Sequence, residues 1–417
     1  MSNIKHSDKK NLLSNFLSLT VLQAMNMLLP LITLPYIVRV VGVNNFGLLN
    51  FSLAVVMYFN ILVSFGFDLS ATREVSINRT DIKKISEIFF SVMIIKAVLV
   101  SISFIILSFL ILFVDSFSEN ASLYYATFGL VIANLLFPSW FFQGMERMKY
   151  ITFINVGSKI AFTILIFIVV QNDSDYIYIP ILNSLGAIIG GLYSLVLIFK
   201  LFHIQFIIPD RSIIIQLLKD SFSFFLSRIA NNGSRYLATT IIGIYFGNTI
   251  VGYYSMVEKL YYAFMSLGGV VSQTIYPYMS RTKNIIFFKK IFILIISVSI
   301  VILIPVIYFN TFILLTIFNI QDDMMSNIFF IVFSGSIFGI ASALIGYPLL
   351  AAFGYINYAN NSLIYASIAY VLFIGVSALM FKNIYLVSFS VVVYSFTALI
   401  LRIYYIYQAG ILRKKVL

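Results

Sequence analysis

The chain is a succession of apolar runs, each about as long as a bilayer is thick, joined by loops too short to fold alone. A helix needs about 20 apolar residues to cross roughly 30 Å of hydrocarbon. Reading for such runs predicts twelve spans. The first six are 12–38, 46–67, 88–113, 123–144, 153–170 and 177–199. The second six are 221–247, 250–277, 291–315, 327–352, 363–381 and 384–407. The fold class this predicts is an all-α integral membrane protein, with a six-helix N-terminal lobe (1–203) and a six-helix C-terminal lobe (221–417). Between them, 204–220 reads as an amphipathic connector lying at the cytoplasmic interface, with Asp210, Arg211, Lys219 and Asp220 as its charges. No loop could hold a soluble catalytic domain, so the expectation is a protein that acts among its helices and is not an enzyme.

Composition rules out several other classes. Only 10% of the residues are charged and 61% are hydrophobic, whereas a soluble domain carries about 25% charged residues. The net charge of +12 does not point to nucleic acid, because the basic residues lie in short clusters between apolar runs and not on one soluble face. No cysteine is present, which excludes disulfides and thiolate chemistry. His6 and His203 are far apart at predicted membrane edges, so no metal site and no cofactor are expected. The first apolar run is too long for a signal-peptide core and reads as a retained span.

Loop charges set the expected orientation. The N-terminal tail, the even-numbered loops and the C-terminal tail hold 19 of the basic residues, among them Lys5, Lys9, Arg73, Lys83, Arg281, Lys289 and Lys414. The odd-numbered loops hold only Arg39 and Lys382. Basic loops stay in the cytoplasm, which predicts that both termini are cytoplasmic.

The two halves echo one another. Gly42 and Gly47 recur as Gly247 and Gly252, each 205 residues later. Pro138 and Gly144 recur as Pro348 and Gly354, each 210 residues later. Halves of the same orientation would be related by a pseudo-two-fold along the membrane normal, an arrangement that puts the substrate between them. The expectation is a transporter.

Ionisable groups inside spans are costly and mark candidate function. Six basic residues fall within predicted spans: Lys96, Lys159, Arg228, Arg235, Lys259 and Arg402; Glu258 is the one acid comparably deep. Arg228, Asn231, Asn232 and Arg235 form one helical stripe. From Ser221, Arg228 is roughly 10 Å deep and Arg235 roughly 20 Å. Glu258 is expected to pair with Arg235, leaving Lys259 free. Lys96 is expected in the cavity; Lys159 fits the cavity or the interface equally. Gln23 and Asn26 share a face of the first span, where lining a cavity and hydrogen bonding between helices fit equally, and Pro30 and Pro35 should bend that span. Asp68 reads as an interfacial residue near Arg73, with ion coupling as the second reading, and Arg402 as an interfacial anchor. Deep charge is thus mostly cationic, which suits a phosphate or diphosphate cargo, and guanidinium groups grip phosphate oxygens in pairs.

Several segments resemble the polysaccharide-exporter branch of the MOP flippase superfamily, the Wzx-type O-antigen or capsule-repeat flippases. They are Ile32-Thr33-Leu34-Pro35-Tyr36-Ile37-Val38-Arg39-Val40-Val41-Gly42, Leu69-Ser70-Ala71-Thr72-Arg73-Glu74-Val75-Ser76, Pro138-Ser139-Trp140-Phe141-Phe142-Gln143-Gly144-Met145-Glu146, and Val251-Gly252-Tyr253-Tyr254-Ser255 with Glu258-Lys259. The resemblance runs from about residue 10 to about 400 and is most specific at Pro138–Glu146. It implies a two-lobe fold opening inward and outward, an undecaprenyl-diphosphate-linked oligosaccharide as cargo, and a bacterial inner membrane. The partners implied are that lipid-linked substrate, membrane lipids and other membrane proteins of polysaccharide assembly (a polymerase and a chain-length regulator).

On that reading Arg228, Arg235 and Lys259 neutralise the cargo, with Lys96, Lys159, Asn231, Asn232, Gln23 and Asn26 contributing, and Glu258 and Asp68 are the coupling or ion-pair residues. A drug/cation antiporter of the same superfamily would need acids to dominate the deep positions. A lipid II flippase usually has fourteen spans. A membrane-embedded glycosyltransferase or polymerase of the same pathway would need a larger polar loop or an acidic cluster.

Overall fold

The computed structural model describes residues 2–229 and 233–411. Among the described residues all regular structure is helical, as lipid requires of a chain that must satisfy its backbone groups within each segment. By packing, the chain divides into two compact units, Met1–Tyr236 and Leu237–Leu417.

The first unit holds α1 (Ser2–Ser64), α2 (Phe67–Ile77), α3 (Ile82–Phe113), α4 (Asp115–Ser118), α5 (Ala121–Leu136), α6 (Ser139–Gly144), α7 (Met148–Val169), α8 (Tyr178–Phe202) and α9 (Arg211–Arg228). Helix α10 (Ser234–Phe246) straddles the division. The second unit continues with α11 (Asn248–Thr282), α12 (Ile285–Tyr308), α13 (Asn310–Phe318), α14 (Asp323–Ser334), α15 (Ser336–Ile345), α16 (Ile356–Val376) and α17 (Ile384–Gln408). Two π-helical segments, Gly346–Ala351 and Ser377–Phe381, extend α15 and α16.

Nine helical segments among the described residues are long and apolar enough to cross a membrane, so the chain is a multi-pass membrane protein. One of them, Thr20–Ile77, takes in two predicted spans. The seventh and eighth predicted spans are not among the nine. The seventh is divided between α9 and α10, and the eighth, in α11, carries Glu258, Lys259 and Gln273. Faces such as Ile105, Phe109 and Leu112 on α3, and Ile293, Val301 and Ile304 on α12, stand exposed. A contiguous apolar surface of that extent fits lipid as its solvent.

The bend in α1 is not where proline predicts it. Helical angles persist through Pro30 and Pro35, and the chain leaves helical geometry at Gly42 (φ 77°, ψ 164°). Gly247 repeats those angles (φ 87°, ψ 171°) at the start of α11. That region of backbone space is essentially reserved for glycine, so the 205-residue echo in the sequence is an echo of backbone shape.

Other features recur at similar intervals. The Asp81 side chain caps α3 by accepting from Lys84 N, and Asn284 caps α12 by accepting from Phe287 N. Left-handed Glu146 and Gly354 are each followed by an N–H donating five residues back, Arg147 to Phe142 and Tyr355 to Leu350. This is a helix C-terminal closure of the Schellman type. His203 and Gly410, both left-handed, end α8 and α17.

In the first unit α1, α5, α7 and α8 pack together, and a core of Phe67, Phe89, Trp140, Phe141, Phe142 and Ile198 closes one end. The Pro138–Glu146 motif is therefore largely core: Trp140, Phe141 and Phe142 are buried, and Thr72 donates to the Trp140 carbonyl. In the second unit α11, α14, α15, α16 and α17 pack around Ile340, Leu344, Leu350 and Ile406.

The connector does not end where the sequence reading ends it. Residues 204–210 are irregular, and α9 runs from Arg211 past Ser221 without interruption. Its apolar residues Ile213, Ile214, Leu217 and Leu218 pack into the first unit's core.

Candidate functional site

The site begins with a break in the chain. Phe65 (φ 42°) and Gly66 (φ 78°) part α1 from α2. A Cβ on Gly66 would lie 2.7 Å from Phe224 Cβ and 2.9 Å from Phe225 N, so this glycine supplies both the left-handed turn and the close approach of α9. Two further contacts hold α9 there: Phe65 stacks on Phe225 with ring centroids 4.7 Å apart, and the Ser70 and Ser221 hydroxyls are 2.7 Å apart. Docked this way, α9 brings Arg228 Nη2 to 3.4 Å from Asp68 Oδ2. Asp68 is thus partnered by Arg228 and not by Arg73, which is exposed. Its place in the first turn of α2 also suits its charge, since the N-terminal end of a helix is positive.

Beside this ion pair is a cavity of about 190 Å³ lined by Met57, Asn60, Ile61, Ser64, Arg228, Arg235 and Tyr236. The structure therefore brings together the two arginines of the predicted stripe. Asn231 and Asn232, between them in sequence, lie outside the described residues. Ligand pockets for drug-sized molecules span about 300–1,000 Å³. This cavity suits one compact group, such as a phosphate, and not a whole oligosaccharide. Tyr58 frames it, donating to the Gly233 carbonyl at 3.3 Å and meeting Tyr236 edge-on at 6.4 Å between centroids.

Lys96 is buried and reaches the cavity wall through other side chains. Its ammonium donates to Asn134 Oδ1 at 2.7 Å and to the Asn134 carbonyl. Asn134 Nδ2 donates in turn to Asn60 Oδ1 and, at 2.9 Å, to Ser64 Oγ, both on the lining. No carboxylate lies within salt-bridge distance of Lys96 among the described residues; Asp68 acts on it electrostatically from further off. A buried charge needs hydrogen-bond partners, and here two neutral oxygens of Asn134 supply them.

Sequence reasoning missed Asn60, Ser64, Asn134 and Tyr236. The signal was present for two of them, since Asn60 and Ser64 are four residues apart and share one helical face. Asn134 is a single polar residue in an apolar run and gave no such pattern.

The remaining predicted residues lie apart from this cavity. Lys159 is exposed and donates to Asn26 Oδ1 at 2.5 Å, which ties α7 to α1, and Gln23 is exposed one turn from Asn26. Both hold to the first span's polar face, yet neither lines the cavity. In the second unit Glu258 and Lys259 are half-buried neighbours on α11, and the Glu258 charge acts on Lys259, so Lys259 is not the free cation the sequence suggested.

Arg402 is not an interfacial anchor. It is 3% exposed, and every nitrogen of its guanidinium donates. Nε reaches Ser362 Oγ at 2.9 Å, Nη1 reaches Ser342 Oγ at 3.0 Å and the Ser342 carbonyl, and Nη2 reaches the Ala359 carbonyl at 3.3 Å. Gly346 makes the space, because a Cβ there would lie 2.6 Å from the guanidinium carbon. The side chain ties α15, α16 and α17 together at the point where α15 becomes π-helical. Counting residues from a span end placed it near water, but packing covers it.

Comparison with known proteins supplies the family. Residues 12–283 match the model of the family described as "Polysaccharide biosynthesis protein". A protein of Escherichia coli (strain K12) named "Putative O-antigen transporter" is 31% identical over 291 residues, covering 68% of this chain and 70% of the relative. A protein of the same name from Shigella dysenteriae is 27% identical over 283 residues, with the same coverage.

Solved structures show the same fold at low identity. The lipid II flippase MurJ, inward closed, aligns with a TM-score of 0.64 and 15% identity over 96% of this chain and 89% of that one. An inward-facing multidrug resistance MATE family transporter of the MOP superfamily aligns with a TM-score of 0.60 and 12% identity over 95% of this chain and 99% of that one. An all-helical membrane chain with the MOP fold, a match across most of its length and a 31%-identical relative together place it: the chain belongs to the polysaccharide biosynthesis protein family.

Proposed function

We propose that the chain is a flippase that moves an undecaprenyl-diphosphate-linked oligosaccharide repeat unit, of O-antigen or capsule type, from the cytoplasmic to the outer face of a bacterial inner membrane. The observation that carries this reading is the small cavity with Arg228 and Arg235 on its wall and Lys96 behind it. Among the described residues its lining includes two guanidinium groups, an amide and two hydroxyls, and no carboxylate. That donor-rich set fits phosphate oxygens, because hydrogen bonds between charged partners are about twice as strong as neutral ones. The names of the relatives support the class of cargo.

In this mechanism the diphosphate displaces Asp68 as the partner of Arg228, while the glycan remains in water and the prenyl tail in lipid. Lys259 and the Lys159–Asn26 pair offer further contacts along the route. Two six-helix lobes related by an axis along the membrane normal then rock to expose the cargo outward, with both termini on the cytoplasmic side. A drug/cation antiporter would want acids at these depths, and the one acid beside the cavity, Asp68, is already paired.

The test is the sidedness of lipid-linked oligosaccharide in cells lacking this protein, with and without the wild-type chain supplied. Movement of the glycan to the outer face only when the chain is present is the expected result. Unchanged sidedness would remove the flippase reading.

An inside-negative potential favours outward movement of negative charge by about 2.3 kcal/mol per charge per 100 mV. Ion antiport through Glu258 is a further means of coupling. On that version Glu258→Gln slows transport across imposed proton or sodium gradients, and an unchanged rate eliminates it.

A further inference from the structure

The second unit carries a cluster that the diphosphate site does not use. At the start of α16, Asn357, Asn360 and Asn361 stand exposed on one face, and the next turn adds Tyr365, 52% exposed. Tyr347, 43% exposed, donates its hydroxyl to Asn360 Oδ1 at 3.1 Å. That bond orients the amide with its N–H₂ available. The Tyr276 ring meets Tyr347 edge-on at 6.0 Å between centroids.

The platform beneath is a stack of rings. Tyr355, Tyr358 and Tyr405 form a stacked column, with interplanar angles of 2° and 5°, that holds α16 against α17. Asn357 and Asn361 make no side-chain hydrogen bond among the described residues.

An interfacial belt accounts for tyrosines at this level, but it does not account for three asparagines. Asparagine is a poor helix former, because its amide competes with the backbone. The amides offer donors and acceptors together, the rings offer flat apolar faces, and the cluster has no charge of its own. From 282 to 411 the only acids are Asp322 and Asp323, in the connection between α13 and α14. The cluster sits instead where the C-terminal part of α11, with Arg281, packs on the Gly346–Ala351 segment, the end of the unit whose loops are basic.

We propose that Tyr276, Tyr347, Tyr365, Asn357, Asn360 and Asn361 form a carbohydrate-binding surface that takes uncharged sugar rings of the cargo by ring stacking and amide hydrogen bonds. This rests on the flippase reading, since a lipid-linked glycan approaching from the basic side lies at this level. It assigns head-group recognition to the second unit, apart from the diphosphate cavity of the first.

The experiment measures binding by the full-length protein in nanodiscs. The probes are the lipid-linked oligosaccharide that accumulates in cells lacking the chain, and the same prenyl diphosphate without its glycan. The combined Asn357→Ala, Asn360→Ala and Asn361→Ala variant should weaken binding of the glycan-bearing lipid about tenfold, the effect of losing two or three neutral hydrogen bonds, and leave the bare lipid unchanged. Tyr347→Phe, which keeps the ring, should lose only about two- to fivefold. Arg235→Ala should weaken both lipids alike.

If the triple variant binds both lipids as the wild type does, or weakens both equally, the surface is only an interfacial belt and the proposal falls. If Arg235→Ala changes neither lipid while the triple variant loses glycan selectivity, the diphosphate site is wrong and the sugar surface stands.

Discussion

Replacing Arg228 and Arg235 together by alanine is expected to reduce transport of the lipid-linked oligosaccharide at least a hundredfold, while the protein still inserts at wild-type levels. Hydrogen bonds to charged groups contribute about 1.5–3 kcal/mol each, and each 1.4 kcal/mol is a factor of about ten in rate or affinity. Arg235→Ala alone should cost about ten- to a hundredfold on the same reasoning.

Stability should change little. The ion pair of Arg228 with Asp68 is about one-third exposed on both sides, and pairs of that kind contribute about 0–1 kcal/mol. Arg228→Lys and Arg235→Lys keep the charge but lose the paired donors, so partial activity is expected. The measurement is appearance of glycan on the outer face, normalised to the amount of inserted protein. Full activity in the inserted double variant would move the anion site elsewhere.

Arg402→Ala should have the larger effect on stability. It would take the charged donor away from the Ser342 and Ser362 hydroxyls in a buried place, strip the Ser342 and Ala359 carbonyls of one of their donors, and leave a void against Gly346. Stranded buried polar groups cost about 1–3 kcal/mol each, and large-to-small changes add a cavity term. A loss of roughly 3–5 kcal/mol is expected for the second unit on these grounds. It should appear as a fall of about 10 °C in the apparent unfolding temperature of the purified protein, since 1 kcal/mol shifts a unit of this size by about 2–4 °C.

Gly346→Ala should act in the same direction, because it pushes its Cβ into the guanidinium. Arg402→Lys, with one compact ammonium in place of a planar fork, should lie between alanine and wild type. An Arg402→Ala protein that unfolds at the wild-type temperature would show that the three-helix tie is not structural.

Much of the architecture was legible because membrane helices obey a simple length rule. Apolar runs of the required length marked nearly every helix, and the glycine echo at 205 residues pointed to a backbone angle that only glycine adopts readily. The reading failed where the periodicity was interrupted. Pro30 and Pro35 are accommodated in α1, and the departure falls at Gly42, because a left-handed glycine redirects the chain more sharply than a proline within a continuous helix. The connector reads as interfacial because its apolar and charged faces alternate. Its apolar face is in fact covered by the first unit.

For the site, sequence alone determined that cations fall within apolar runs, that Arg228 and Arg235 are spaced as one helical stripe, and that few acids could oppose them. Those conclusions need only residue counts, helical spacing and the cost of charge in hydrocarbon. Partnership was decided by tertiary structure. Gly66 admits α9, and so Asp68 meets Arg228; Asn134 relays Lys96 to Asn60 and Ser64; Gly346 admits Arg402 among neutral oxygens. Each of these joins residues dozens to more than a hundred positions apart. Such contacts depend on how closely two backbones approach, a quantity that spacing along one helix does not contain.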